Sequence, residues 1–355
     1  MTKNILVKRI MLFILCLALT TSIISATGKV NAEGNGAEFY VSAQLPDNQQ
    51  DEKVNYFDLK MKPEQKQTVY VNLYNEKDEE MNISVYAANA SSNTNGIIEY
   101  TKQGITDESL KVHFEEIAKP KQNIVTVPAS GTKSVAVDIT MPEEKFDGTV
   151  LGGLVFTEVK DEKQEKKEEA SVSISNEVSY ALAFKLNETD KNVDLNMDLL
   201  SVEPKVVNYE PVITHNIHNS AAVLSTKMKM DIKIIDEKTG EIVTEDKNER
   251  VSIAPNSLMP YSLRLKGTNL NEGNYISKVT IDYKDAKDNP KKAEFEKAFS
   301  IDKDDASKIN DYKQDKQESP LWAKILIACL IVFTAAIVTL IFIVVRKRKN
   351  VQKIK

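Results

Sequence analysis

Three histidines occur in the chain, and two of them, His215 and His218, stand close enough in sequence to raise the question of a shared metal. They lie three apart in a segment that reads as a strand, where residues i and i+3 face opposite sides. The pair therefore predicts no metal site. The acidic run Asp302-Lys303-Asp304-Asp305 lacks the spaced oxygen ligands and turn glycine of a calcium loop, and reads as solvated chain. No His-Glu-x-x-His, Gly-x-Ser-x-Gly or phosphate-cradling glycine loop is present. The only cysteines, Cys16 and Cys329, fall in apolar segments, which leaves the body between them without a thiol nucleophile or a disulfide. The expectation is a protein with no catalytic residues, no metal and no cofactor. A hydrolase using two dispersed carboxylates is the enzyme reading still open, because such pairs need no fixed spacing.

The chain ends say where this body resides. Ile325 to Val345 is an uncharged apolar run of 21 residues, and at about 1.5 Å per residue it spans roughly 31 Å, the thickness of a bilayer core. Arg346-Lys347-Arg348-Lys349 follows directly and marks the cytoplasmic side, while Trp322 and Lys324 suit the opposite interface. At the other end Lys3, Lys8 and Arg9 precede the apolar stretch Ile10 to Leu19, with a cleavage site at Val30-Asn31-Ala32. The reading is a signal peptide over 1–32, a body outside the cell, a transmembrane helix within 321–345 and a basic cytoplasmic tail over 346–355. Between the two ends, 36 basic side chains face 52 acidic ones, a net charge of about −16. Such a surface repels nucleic acid and anionic polymers, so nucleic acid is excluded as a partner and recognition must rest on hydrogen bonds and apolar contact.

Alternation supplies the elements. Met228, Met230, Ile232 and Ile234 alternate with Lys229, Asp231 and Lys233, the pattern of a half-buried antiparallel strand. Val69-Val71-Leu73 against Thr68-Tyr70-Asn72, Val135-Val137-Ile139 against Ser134-Ala136-Asp138, and Val279-Ile281-Tyr283 against Lys278-Thr280-Asp282 repeat it. Leu110, Phe114 and Ile117 fit a short helix after Asp107, while Val112 and Phe114 alone would fit a strand; the helix is the expectation. Three signatures occur twice in the same order: Asn72 to Asn75 with Asn216 to Asn219, Pro128 to Gly131 with Ala254 to Ser257, and Phe146 to Val150 with Leu270 to Tyr275. One sandwich plan used twice accounts for them.

The fold class expected is all-β, with two tandem immunoglobulin-like β-sandwiches. The first covers 33–189, with a motif-bearing part over 38–160, a charged hairpin tip over 161–169 and a closing strand over 172–186. The second covers 190–302. Residues 303–320, polar and charged, read as a juxtamembrane stalk.

Several of these segments carry a resemblance. Tyr56-Phe57-Asp58-Leu59 with Lys62-Pro63, Asn72 to Asn75, Thr94-Asn95-Gly96 with Tyr100, and Phe146-Asp147-Gly148 leading into Leu151-Gly152-Gly153-Leu154-Val155-Phe156 resemble the WxL-interacting proteins of Gram-positive bacteria. The order of signal peptide, two β-rich domains, one membrane helix and basic tail matches as well; the second domain matches mainly in position and strand pattern. The resemblance implies a first domain that binds peptidoglycan, a second that binds host matrix proteins, and partnership with surface proteins bearing the WxL domain. It singles out Tyr56, Phe57, Asp58, Thr94, Asn95, Tyr100, Gly152 and Gly153 as candidates for glycan or partner contact. Each has a plainer reading: the Tyr56-Phe57 pair as strand core, Thr94-Asn95-Gly96 as a turn, Gly152-Gly153 as a bulge or tight packing. The function expected is a non-enzymatic adhesion or scaffolding protein held at the cell membrane, with its body in the wall. An assembly chaperone that donates an edge strand to secreted subunits is the alternative, and a wall-remodelling hydrolase the third.

Overall fold

The computed structural model describes residues 38–101, 107–159, 178–265 and 268–314, and single helical positions at 329, 333 and 343. The expected signal peptide over 1–32, the hairpin tip over 161–169 and the tail over 346–355 lie outside the described residues, as does the expected membrane span apart from those three positions. Among the described residues no helix is long and apolar enough to cross a membrane.

The chain is mostly β. The first half runs β1 (Phe39–Gln44), β2 (Phe57–Lys60), β3 (Lys66–Asn75), β4 (Met81–Ser92), β5 (Ile98–Tyr100), α1 (Phe114–Ile117), β6 (Ala118–Pro120), β7 (Ile124–Val127), β8 (Thr132–Thr140), β9 (Thr149–Glu158) and β10 (Ser179–Asn187). The second runs β11 (Met197–Val207), β12 (Glu210–Asn219), β13 (Ser225–Asp236), β14 (Ile242–Ile253), β15 (Ser257–Arg264), β16 (Gly273–Lys284), β17 (Pro290–Ile301) and α2 (Lys303–Gln314). One sheet of the first half has the order β1-β3-β8-β6, and the other β2-β10-β9-β4-β5 with β7 also on β4. The second half has a three-stranded sheet, β11-β12-β15, and a four-stranded one, β14-β13-β16-β17. β10 pairs antiparallel with β9 and parallel with β2, so it belongs to the first half.

Each half buries the apolar alternates of its strands. Val69, Val71 and Leu73 of β3 face inward with Val135, Val137 and Ile139 of β8, and Leu154, Phe156, Phe184 and Leu186 line the opposing sheet. In the second half Met228, Met230, Ile232 and Ile234 join Ile213, Ile217, Met259 and Ile281 in one core.

The sequence echo has a structural counterpart at two corner asparagines. Asn75 ends β3, and its Nδ2 donates to the carbonyls of Glu79 at 2.8 Å, Pro128 at 3.0 Å and Val127 at 3.3 Å, while its Oδ1 accepts from Lys77 N–H at 2.9 Å. Asn219 ends β12 and repeats the set: Nδ2 donates to Val223 at 3.0 Å and Ala254 at 2.9 Å, and Oδ1 accepts from Ala221 N–H at 3.1 Å. Both ties reach a later turn that carries the chain from one sheet to the other, β7 to β8 and β14 to β15, and both turns use a left-handed residue, Ser130 at φ 47° and Asn256 at φ 46°. An amide is the side chain that can donate and accept at once, as each corner requires.

Two local expectations change. The helix expected from Leu110 onward is the single turn α1. Leu110 sits before it in a turn where its N–H donates to Asp107 O, and the Asp107 carboxylate accepts from Ser109 N–H at 2.8 Å, a local bond that competes with helix. The stalk over 303–320 is also corrected, because its first part is the helix α2. Ala306 and Ile309, three apart and so on one helix face, are buried in the second core, and Asn310 Nδ2 donates to Leu270 O at 3.1 Å.

Candidate glycan-binding face

The strand β3 sends Val69, Val71 and Leu73 inward, so the same pleat must send Thr68, Tyr70, Asn72 and Tyr74 outward. The register with β8 sets Tyr70 beside Ala136, Asn72 beside Ser134 and Tyr74 beside Thr132. On the other flank β1 turns Tyr40, Ser42 and Gln44 to the same side. Tyr40 stacks on Tyr74 with ring centroids 4.4 Å apart and planes 8° from parallel. Gln44 Nε2 donates to Asn72 Oδ1 at 2.6 Å, and Ser42 Oγ donates to the Tyr74 hydroxyl at 3.4 Å. Tyr40 and Tyr70 remain 43% and 45% exposed, which for large rings on a flat sheet leaves a broad accessible apolar area.

The six side chains Tyr40, Ser42, Gln44, Tyr70, Asn72 and Tyr74 carry no charge. Ions gather at one margin, where Asp138 meets Lys121 at 3.5 Å. The hydroxyl of Thr68 first, and then Lys121, hold the Asp138 carboxyl below the usual carboxylate range. Tyrosine offers a flat apolar face with a polar tip, and amides donate and accept together. A face of this composition can stack on a sugar ring and hydrogen-bond its hydroxyl and acetamido groups. Among the described residues no cluster of three or more histidine, cysteine or acidic side chains could hold a metal.

The eight residues singled out from the sequence lie elsewhere. Phe57 is wholly buried and packs on Phe184 with centroids 4.4 Å apart, so the ligand reading is corrected to core. Gly152 is likewise internal: a Cβ there would stand 2.0 Å from the buried Phe114 ring. On the other side of β9, a Cβ on Gly153 would stand 2.8 Å from the Tyr100 ring. The two glycines thus let one aromatic ring lie against each face of the strand. Tyr100 is pushed up to about 12 by burial, with the Tyr56 phenol adding to the effect. Burial also raises Tyr56, aided by Asp58 and Asp51. Asp58 is nearly buried and pairs with Lys185 at 3.1 Å across the β2–β10 register.

Thr94 and Asn95 meet the second half of the chain. Their turn lies across the open seam between β14 and β15, the edges of the two sheets there. Ser262 N–H of β15 donates to Thr94 O, and Ser252 N–H of β14 donates to Gly96 O, both at 2.8 Å. Gly96 has φ +71°, and a Cβ on it would press to 2.9 Å from Val251. The junction continues with Ser92 Oγ, which accepts from Ala254 N–H at 2.9 Å, and with Thr149 N–H, which donates to Ala222 O at 2.7 Å. A small shared core of Ala90, Leu151 and Ala254 lies between, with Ile98, Tyr100 and Leu224 against it. Asp147 binds Thr189 at 2.9 Å and Lys191 at 2.7 Å, fixing the connection between the halves, and Lys191 first, then Thr189, hold its carboxyl low.

The two histidines face opposite ways. His215 is fully buried; Ile213 O, an acceptor only, fixes the proton on Nδ1 at 3.1 Å, so Nε2 accepts from Ser277 Oγ–H at 2.8 Å. Burial lowers its pKa to about 4. His218 reaches across the junction to Asp107, with Nε2 and Oδ1 3.0 Å apart. Burial opposes ionisation of Asp107, but hydrogen bonds from Ser109 and His218 outweigh it and hold the carboxyl low.

No curated protein sequence matches the chain. Among solved structures it is similar to the YadV chaperone, at 8% identity and a TM-score of 0.33 over 74% of this chain and 100% of that one. It is also similar to the CsuC-CsuE chaperone-tip adhesion subunit pre-assembly complex from the Csu pili of Acinetobacter baumannii. There the identity is 9% and the TM-score 0.34, over 73% of this chain and 98% of that one. No functional statement follows from similarity at that level. Two family models match instead: WxL Interacting Protein, peptidoglycan binding domain, over residues 39–158, and WxL Interacting Protein, host binding domain, over residues 169–311. The second match includes β10, although that strand pairs within the first half. The outward tyrosines of β1 and β3 fall inside the first match. The chain belongs to the WxL Interacting Protein family, with a peptidoglycan-binding domain followed by a host-binding domain.

Proposed function

We propose that this chain is a non-enzymatic adhesion and scaffolding protein, built from two immunoglobulin-like sandwiches and held at the cell membrane by the apolar run 325–345. In this reading the outer face of the β1-β3-β8-β6 sheet binds the glycan strands of peptidoglycan. The second half carries the protein contacts, to WxL-domain surface proteins and to host matrix proteins.

The observation that carries the glycan assignment is the uncharged strip of three tyrosines and two amides on the domain matched as peptidoglycan-binding. With a net charge of about −16 over the exported body, recognition of a wall rich in anionic polymer cannot rest on long-range attraction. Stacking and neutral hydrogen bonds avoid that repulsion. Retention of the detergent-solubilised full-length protein on purified peptidoglycan tests the proposal. Retention that survives high salt and falls on substitution of Tyr70 supports it; salt-sensitive retention indifferent to Tyr70 sinks it. Soluble sugar fragments in the supernatant would overturn the non-enzymatic assignment.

A further inference from the structure

The turn that bridges the β14–β15 seam leaves a cavity of about 210 Å³ beneath it. Asn95 of the turn lines it, together with Asp246, Lys247 and Asn248 of β14 and Tyr261, Ser262 and Arg264 of β15. Both halves of the molecule therefore build it.

Its hydrogen-bonding groups are chiefly donors. The Arg264 guanidinium directs Nε to Glu210 at 3.2 Å and a terminal nitrogen to Asn95 Oδ1 at 3.4 Å, which engages two of its five N–H groups. Lys247 meets Asp231 at 3.1 Å with one of three. Asn248 Nδ2 has only long contacts, 3.4 Å to the Tyr261 hydroxyl and 3.5 Å to Asn95 O, at the margin of a hydrogen bond. The Ser262 hydroxyl oxygen is buried and has no hydrogen-bond partner, a costly arrangement unless something else supplies one. The carboxylate in the wall is already engaged, since Asp246 accepts the Tyr261 O–H at 2.8 Å.

We propose that this seam cavity binds a small monocarboxylate, the main-chain carboxylate of an amino acid or of a peptide's C-terminal residue. Arg264 and Ser262 donate to the carboxylate oxygens, and Asn95 and Lys247 close over it. Guanidinium and carboxylate match in geometry as well as charge. Glu210 on the guanidinium and Asp246 in the lining disfavour a second negative charge, which argues against a phosphate. The volume lies below the roughly 300 Å³ where drug-sized sites begin, so a single residue fits. Because Asn95 belongs to the first half and the remaining lining residues to the second, occupancy holds the junction closed. The tyrosine face has no part in this site, and the two assignments stand or fall separately.

Calorimetric titration of the full-length protein tests the site with three probes: N-acetyl-D-alanyl-D-alanine, its C-terminal amide, and free D-alanine. The acid peptide is expected to bind one to one, the amide at least about tenfold more weakly, consistent with loss of a charge-assisted pair. Arg264→Gln should lower affinity for the acid by about tenfold or more, while Tyr70→Ala leaves it unchanged. Should Arg264→Gln fail to fold, Ser262→Ala and Lys247→Gln probe the same donors, and the acid-to-amide ratio needs no variant at all. Free D-alanine binding as tightly as the peptide assigns the site to amino acids, and weaker binding assigns it to peptide ends. Equal affinity for acid and amide, or no heat from either acid at millimolar concentration, overturns the proposal.

Discussion

Two exposed sheet faces, one in each half, show what the fold leaves free. On the β14-β13-β16-β17 sheet the outward alternates form cross-strand ion pairs: Lys229 with Glu249 at 2.9 Å, Lys247 with Asp231 at 3.1 Å, and Lys278 with Glu296 at 3.0 Å. On the β1-β3-β8-β6 sheet the same positions carry stacked tyrosine and bonded amides. The inward alternates are equivalent in kind, apolar and buried in both. The two sheets thus differ on the outward half of the pleat. A ladder of opposite charges stays hydrated and contributes little to stability, whereas exposed rings with neutral amides offer apolar area together with donors and acceptors.

The comparison also separates residues that build the domains from residues that face a ligand, and the largest effects belong to the builders. Gly152→Ala forces a methyl group into the Phe114 ring and is expected to destabilise the first half by about 3 kcal/mol, read as a lower urea midpoint. Wall binding per folded molecule should be unchanged. A variant of normal stability that fails to bind would return Gly152 to the ligand site.

A second effect belongs to the second half. The pKa of His215 is lowered from 6.5 to about 4 by burial, so the unfolded chain takes up its proton first. Stability from this group is therefore full above about pH 6.5 and declines as pH falls toward 4, by roughly 3 kcal/mol in all. Hydrogen exchange at pH 7 and pH 4.5 should show loss of protection in β12, β13 and β16, and His215→Gln should flatten the dependence. Protection in β12 that is independent of pH would contradict a buried neutral imidazole.

The corner asparagines come next. Asn75→Ala and Asn219→Ala each leave buried carbonyls without donors, at a cost of about 2 kcal/mol. Asn75 ties three carbonyls and Asn219 two, so the first should cost more. Differential scanning calorimetry orders them, and the reverse order would break the equivalence of the two corners. The smallest change expected is that of Lys278→Ala on the charge ladder, which should leave both wall retention and the unfolding midpoint where they were.

Much of this was legible in the sequence. Period-two alternation located β3, β8, β13 and β16, since one buried face forces it, and the repeated Asn and Pro-containing signatures marked corners that the same kind of hydrogen bonds holds in both halves. The site was less legible. Tyr70 and Asn72 appear in the sequence as the water-facing alternates of β3, and a tyrosine there is the signal that could have found the face. The motif residues Phe57, Gly152, Thr94 and Asn95 stand out in the sequence instead, and packing and the junction explain them. The strands that surround Gly152, and the partner edges that Thr94 and Asn95 cap, are distant in sequence, so no local pattern shows them. The helix α2 escaped for the same reason: Ala306 and Ile309 are too few to mark a periodic face, and only the neighbouring core gives them somewhere to go.

Equilibrium retention on purified peptidoglycan, compared among the unmodified protein, Tyr70→Ala, Tyr74→Ala and Lys278→Ala, bears most directly on the contrast between the two faces. Each tyrosine substitution should weaken retention about tenfold, the scale of an aromatic hot spot, and Lys278→Ala should not change it. Equal retention by all four would contradict the assignment of the glycan site to the tyrosine face.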